Sequence, residues 1–298
     1  MNASLKIITA GAVSGIVLLT LATPGYGQTR NDKPTHSDVA YDEDHASQRL
    51  DVYLTESDEP TPAMIYIHGG GWRAGSKMNV PDWLRKFVTG GRLSVVSVEY
   101  RFIDVATHPA QVNDCLRAIQ FVRQNAAKWN IDSKRLGVTG GSAGGHLSAY
   151  VALYDDAADS KSDDPIKQHS SRVACAVSFA GPTDWTLLSS IDHRHPAYRQ
   201  LIGHEPDTPA ADLSAKMIKD VSPISFASKD DPPVMQVHGD SDVIVPIEHA
   251  KNLHQKLEAI GVESELVVIP GGNHSVAGAR NSKHATAFIK KHLLSARP

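Results

Sequence analysis

The chain has 298 residues, of which 41% are hydrophobic and 21% charged. That length and apolar content fit one large domain with a sizeable core and leave little room for a second. With 33 acidic against 30 basic residues and a net charge of −3, nothing in the charge balance points to a nucleic-acid or acidic-membrane partner.

Residues 1–27 have the layout of a secretory signal peptide. Lys6 supplies the positive start, residues 7–22 are apolar with small residues scattered among them, and Pro24 breaks the run. Gly25 and Gly27 stand three and one positions before a cut ahead of Gln28. The apolar run is shorter than the roughly 20 residues that span a bilayer. Cleavage is therefore expected over retention as an anchor, and with it a secreted or periplasmic location. Residues 28–37 are polar and read as a flexible leader. The folded domain is expected over 38–298.

Residues 48–53 alternate polar and apolar, as an edge or antiparallel strand does. Short runs rich in β-branched residues follow at 64–68, 95–100, 136–139, 173–179, 234–237 and 265–269. Such runs suit central strands buried on both faces of a mostly parallel sheet. Between them, 110–129 carries apolar residues at 112, 115, 116, 119 and 122, one stripe of a helix. Further helices are predicted at 143–154, at 248–260 with Gly261 as its C-terminal stop, and at 285–294. This alternation predicts a doubly wound α/β sheet with helices on both faces. Two stretches interrupt it. Residues 155–171, rich in Asp, Ser and Lys, are predicted to be a solvated loop. Residues 183–231 are too long for a plain connection, so they are predicted to hold small helices and to cover the site in part. Cys115 and Cys175 fall in a predicted helix and a predicted buried strand, where free thiols pack as small hydrophobes, and are expected to stay unpaired.

The strongest chemical signal is Gly140-Gly141-Ser142-Ala143-Gly144-Gly145, between a predicted strand and a predicted helix. A Ser on so sharp a turn needs small neighbours two positions either side, which is the nucleophile elbow of α/β-hydrolases. The turn lifts the hydroxyl above the sheet and aims the positive end of the helix at it. His68-Gly69-Gly70-Gly71-Trp72 follows an earlier predicted strand. Consecutive glycines there turn backbone N–H groups towards a cavity, as stabilisation of an oxyanion requires. The N–H groups of Gly70, Gly71 and Ala143 are the expected oxyanion hole. In this fold the acid and then the base follow the Ser in the chain. His238-Gly239-Asp240-Ser241-Asp242 offers two acids. Asp242 is preferred, because it lies four residues before Pro246, and Asp240 is expected to brace the turn. His274, in Gly271-Gly272-Asn273-His274-Ser275, follows the last predicted strand and is the expected base. Trp72 and the side chains of 183–231 are expected to shape the substrate pocket. His193 and His195 share a loop with Asp192 and Arg194, but their spacing is not that of a zinc site. No metal or other cofactor is expected.

These motifs, with Tyr100-Arg101 after the strand at 95–100, resemble the hormone-sensitive-lipase-like esterases. They resemble more closely the small bacterial branch of feruloyl and acetyl-xylan esterases, from about residue 38 onwards. The resemblance implies an α/β-hydrolase fold and an exported esterase without a cofactor. It puts Ser142, Asp242 and His274 at the triad positions and Gly70, Gly71 and Ala143 at the oxyanion positions. It makes Asp114 a buried structural acid. Two departures stand out. Gly141 occupies a position that is often acidic in the larger group, and too little chain precedes His68 for the helical cap of its larger members. Both favour an open site over one for bulky lipids. The implied substrates are short acyl or aryl esters, including acetyl or feruloyl esters of polysaccharide. Competing readings are a serine peptidase of prolyl-oligopeptidase type, for whose N-terminal propeller there is no room, an arylformamidase, and a ligand-binding homologue without activity. Oligomeric state stays open.

Overall fold

A computed structural model of the chain describes residues 33–191, 195–277 and 281–295. The expected signal peptide, residues 28–32 of the expected leader, and Asp192, His193 and Arg194 lie outside the described residues.

Eight strands form one sheet: β1 (His36–Ala40), β2 (Arg49–Tyr53), β3 (Thr61–Ile67), β4 (Ser94–Val98), β5 (Ile131–Gly141), β6 (Cys175–Phe179), β7 (Val234–Gly239) and β8 (Ser264–Ile269). Their order is β1-β2-β4-β3-β5-β6-β7-β8. The β1–β2 and β2–β4 pairs are antiparallel, and every pair from β4 to β8 is parallel. The helices are α1 (Asp82–Thr89), α2 (Ala110–Gln124), α3 (Ala143–Leu153), α4 (Ala197–Leu201), α5 (Ala215–Val221), α6 (Glu248–Ala259) and α7 (Ser282–Ile289).

The strands alternate between two cores, as a period of two residues requires. Ala63, Ile65 and Ile67 of β3 join one core with Leu116 of α2, Leu147 of α3 and Leu253 of α6. Met64, between them, joins the other with Leu84 and Phe87 of α1 and Phe288 of α7. Helices therefore cover both faces, and each fully buried Leu contributes roughly 2 kcal/mol. Cys115 and Cys175 are buried, one in each core, and no disulfide joins them to each other.

Several details differ from the sequence reading. The leader expected to end at residue 37 gives way to β1 at His36, where a short polar strand pairs with β2. Helix α1 was not among the predicted helices; Pro81 precedes it, and Trp83, Leu84 and Phe87 form its buried face. The helix predicted over 110–129 ends at Gln124. The last helix runs from Ser282 and passes into a π turn at Lys290–Leu294.

Asp114 of α2 is 1% exposed and ties α2 to the sheet. Its carboxylate accepts from Gln48 Nε2 at 2.9 Å, Arg101 N at 2.9 Å and Arg101 Nη2 at 2.7 Å. Residues 183–231 hold α4, α5 and three short 3₁₀ turns. Trp185, fully buried, anchors this segment, and its indole N–H donates to Tyr198 O at 3.3 Å.

Candidate active site

The carboxyl ends of β3, β5, β7 and β8 bring the predicted residues together, where ligands of open α/β sheets bind. Ser142 joins β5 to α3 with φ 56° and ψ −120°. That conformation is strained for a residue with a side chain. It persists because the backbone around it is clamped: Ser142 N donates to Phe179 O at 2.8 Å, and His146 N donates to Ser142 O at 2.9 Å. A Cβ on Gly144 would lie 2.0 Å from Ile67 O, so only glycine lets α3 start this close to β3.

Asp242, Ser142 and His274 form one hydrogen-bonded line. His274 Nε2 is 2.8 Å from Ser142 Oγ, and its Nδ1 is 2.8 Å from Asp242 Oδ2. The Asp242 side chain is buried, whereas a quarter of the imidazole surface is open. Asp242 Oδ1 accepts from the N–H groups of Ile244 at 2.9 Å and Val245 at 3.0 Å. His238 Nε2, 2.8 Å from Val245 O, lies 3.4 Å from Oδ2. Burial alone would raise the Asp242 carboxyl, but hydrogen bonds from His238, His274 and the backbone hold it well below the ordinary carboxylate range. Asp242 is thus an anion at neutral pH, with its oxygens committed. Asp240 accepts instead from Gly271 N at 2.7 Å and braces the loop that carries His274.

The turn after β3 carries the expected oxyanion hole. Gly70 has φ 119°, and a Cβ there would meet Ala74 O at 1.9 Å. Among the described residues, none of the N–H groups of Gly70, Gly71 and Ala143 has a hydrogen-bond acceptor. His68 fixes this turn. Its Nδ1 is 2.8 Å from Gly69 O and its Nε2 is 2.8 Å from Glu99 Oε1. The ring also stacks on Tyr100, whose hydroxyl donates to His68 O at 3.0 Å. Burial would raise the Glu99 carboxyl, but the hydrogen bond and charge of His68 and the Lys77 N–H outweigh it and lower it. Glu99 and His238 were not singled out from the sequence. Glu99 meets its partner only across the β3–β4 pairing, so no local motif marks it; His238 opens the segment that carries Asp242, but its contacts with Asp242 and Val245 O show only in the fold.

Two cavities share Ser142 and His274. One, of about 260 Å³, is lined by Tyr66, Pro81, Trp83, Gly141, Phe179 and Ala277, and is apolar. The absent side chain at Gly141 leaves space next to Ala277 and Phe179. The other, of about 500 Å³, runs past Gly70, Gly71, Arg73, His195, Tyr198 and Ile244. Trp72 borders it too, but only 3% of the residue is exposed. Its indole N–H donates inward to His146 Nδ1 at 3.2 Å, and its ring packs on His146 and Trp185. Trp72 therefore gives the cavity its shape rather than a polar contact. His146, fully buried, is pushed down to about 3 by burial and stays neutral, which lets Nδ1 accept that bond.

The chain is similar to known proteins. A probable carboxylic ester hydrolase, LipM, from Mycobacterium tuberculosis is 26% identical over 264 residues, covering 86% of this chain and 60% of LipM. The chain thus spans about three fifths of that relative's length. Among solved structures, a truncated carbohydrate esterase from gut microbiota superposes with a TM-score of 0.76 at 29% identity, covering 91% of this chain and all of the other. An acetyl ester-xyloside bifunctional hydrolase from Caldicellulosiruptor lactoaceticus does so with a TM-score of 0.70 at 26% identity, over 88% of this chain and 94% of the other. The sheet and its neighbours are those of the α/β-hydrolase fold. The BD-FAE family model matches residues 50–257, a span that carries both glycine-rich turns and Asp242, and the chain belongs to that family.

Proposed function

We propose that the chain is a serine carboxylic-ester hydrolase that works through an acyl-enzyme on Ser142. The observation that carries this reading is the unbroken line from Ser142 Oγ through His274 to Asp242, at 2.8 Å per step, beside N–H groups without acceptors.

His274 Nε2 takes the Ser142 proton as Oγ attacks the ester carbonyl. Asp242 holds the Nδ1–H tautomer and stabilises the positive ring. The N–H groups of Gly70, Gly71 and Ala143 bind the oxyanion. The intermediate collapses, the alcohol leaves with the proton from His274, and the acyl group remains on Ser142. Water, deprotonated by His274, then attacks the acyl-enzyme and releases the acid.

The smaller, apolar cavity takes the acyl group, and its size limits that group to a short chain or one ring. The larger cavity takes the alcohol. Acetyl or feruloyl esters of polysaccharide are the natural substrates in this reading. The likeness to a carbohydrate esterase and to an acetyl ester-xyloside hydrolase supports them. The apolar segment at 7–22 supports a secreted or periplasmic site of action.

Hydrolysis of p-nitrophenyl esters of rising chain length, in wild type and Ser142→Ala, tests the reading. Activity should be highest for acetate to butyrate and should fall at least about 10⁴-fold in the variant. Equal rates in the two proteins would reject it.

A further inference from the structure

The two cavities beside Ser142 differ in charge as well as size. Among the described residues, no Asp, Glu, Lys or Arg lines the apolar one. Among the described residues, Arg73 is the sole Lys or Arg that lines the larger one, and no Asp or Glu lines it. Other arginines of the chain are neutralised: Arg101 by Asp114, Arg117 by Asp42 and Asp164, Arg135 by Asp132, Arg172 by Asp231. Arg73 Nη1 instead donates to a neutral amide, Gln200 Oε1 of α4, at 3.2 Å. That bond orients the guanidinium and leaves its charge uncompensated among the described residues. Arg73 is also anchored by its backbone, as Arg73 N donates to Gly70 O at 3.2 Å within the oxyanion turn.

His195 adds a second donor. Its Nδ1 accepts from Ala197 N at 3.3 Å, which leaves Nε2 to carry the proton of the neutral ring. Burial, then the charges of Arg73 and His274, push the imidazole below its ordinary value, so it stays neutral at pH 7. A Cβ placed on Gly71 would lie 3.4 Å from this ring, so His195 borders the oxyanion turn. Among the described residues, the cavity thus presents a cation and an N–H donor and no carboxylate. A carboxylate takes both, and a guanidinium fork matches its two oxygens.

We propose that Arg73, assisted by His195, selects esters whose leaving alcohol bears a carboxylate, such as an acidic sugar or a hydroxybenzoate. This rests on the serine-esterase reading above. Arg73 is then a specificity-determining residue, and its effect falls on substrate binding rather than on the chemical step.

Two matched pairs of esters test it. The first places the carboxylate on the alcohol: 4-acetoxybenzoate against its methyl ester. The second places it on the acyl group: mono-p-nitrophenyl succinate against its methyl ester. Wild type, Arg73→Gln, Arg73→Lys and Ser142→Ala are compared. Within the first pair, the kcat/KM ratio of acid to methyl ester should fall about ten-fold in Arg73→Gln, mostly through KM. Arg73→Lys should recover part of it, and the ratio in the second pair should not move. A purely structural role would lower both members of a pair and leave their ratio unchanged, which would overturn the inference. A shift confined to the succinate pair would overturn it as well, by moving the anion to the acyl side. If the esters were cleaved in a Ser142-dependent way with ratios indifferent to Arg73, this inference alone would fail. If no ester were cleaved faster by wild type than by Ser142→Ala, the esterase reading would fail and take this one with it.

Discussion

The two glycine-rich turns that frame Ser142 both need bare backbone, but only one of them adds a side-chain clamp. The turn after β5 is held by what is missing: without a Cβ at Gly144, backbone packs directly on the carbonyl of Ile67. The turn after β3 needs a bare Gly70 as well, but it is held also by side chains. His68 is clamped between Gly69 O and Glu99, and its ring stacks on Tyr100. Close backbone packing has no side chain that can swing aside, so it fails as a whole. A polar clamp can be loosened while the sheet stays intact. The nucleophile thus stands on an element that is either native or broken, and two of the three expected oxyanion donors, Gly70 and Gly71, stand on one that can be tuned.

The largest effect is expected from Gly144→Ala. The new methyl group would meet a backbone oxygen, and no rotamer relieves that contact. Stability should fall by about 3 kcal/mol or more, read from urea unfolding, with activity lost alongside. A variant as stable as wild type would show that the β5 turn has slack. A smaller effect on stability, but a clear one on rate, is expected from Glu99→Gln, which keeps the shape of the clamp and removes its charge. Displaced oxyanion donors should lower kcat on p-nitrophenyl acetate by up to about a hundred-fold. Unfolding free energy at pH 7 should drop only about 1–2 kcal/mol. Loss of stability without loss of kcat would break the proposed link from Glu99 to the oxyanion hole.

The smallest effect is in acid. The Glu99 carboxyl is held below its ordinary value in the folded chain. Its stabilisation is therefore complete above the unfolded value of about 4.3 and is lost as pH falls through the lower folded value. The stability gap between wild type and Glu99→Gln should narrow below about pH 4.3. Urea curves at pH 7, 5 and 3.5 check this, and a gap that widened in acid would give the clamp the wrong sign.

The same contrast governs what could be read from the sequence. The β5 turn is legible because its requirements are local: a Ser flanked by small residues between a strand and a helix. Asp242 and His274 are legible because each follows a strand in the order the fold demands, and the structure brings both to Ser142. The β3 clamp is not legible, since His68 and Glu99 lie 31 residues apart and meet only because β3 and β4 pair in register. Asp240 and Asp242 illustrate the limit within one loop. Position in the loop separated them, but the reason is structural: Asp242 is pinned by the Ile244 and Val245 N–H groups, and Asp240 by Gly271. Trp72 reads as a residue for substrate because it adjoins the glycines, yet its indole N–H is spent on His146, 74 positions away. Arg73 carried no motif at all. Its significance comes from the lack of an acid around it among the described residues, which no linear pattern records.

The central claim is that the Ser142 hydroxyl is a nucleophile activated by His274. Treatment of the purified chain with a fluorophosphonate, followed by intact mass and peptide mapping, tests it most directly. A single adduct on the peptide bearing Ser142, lost in Ser142→Ala and greatly slowed in a His274→Gln variant, is the predicted result. No adduct in wild type, or an adduct of equal rate at another serine in both variants, would contradict it.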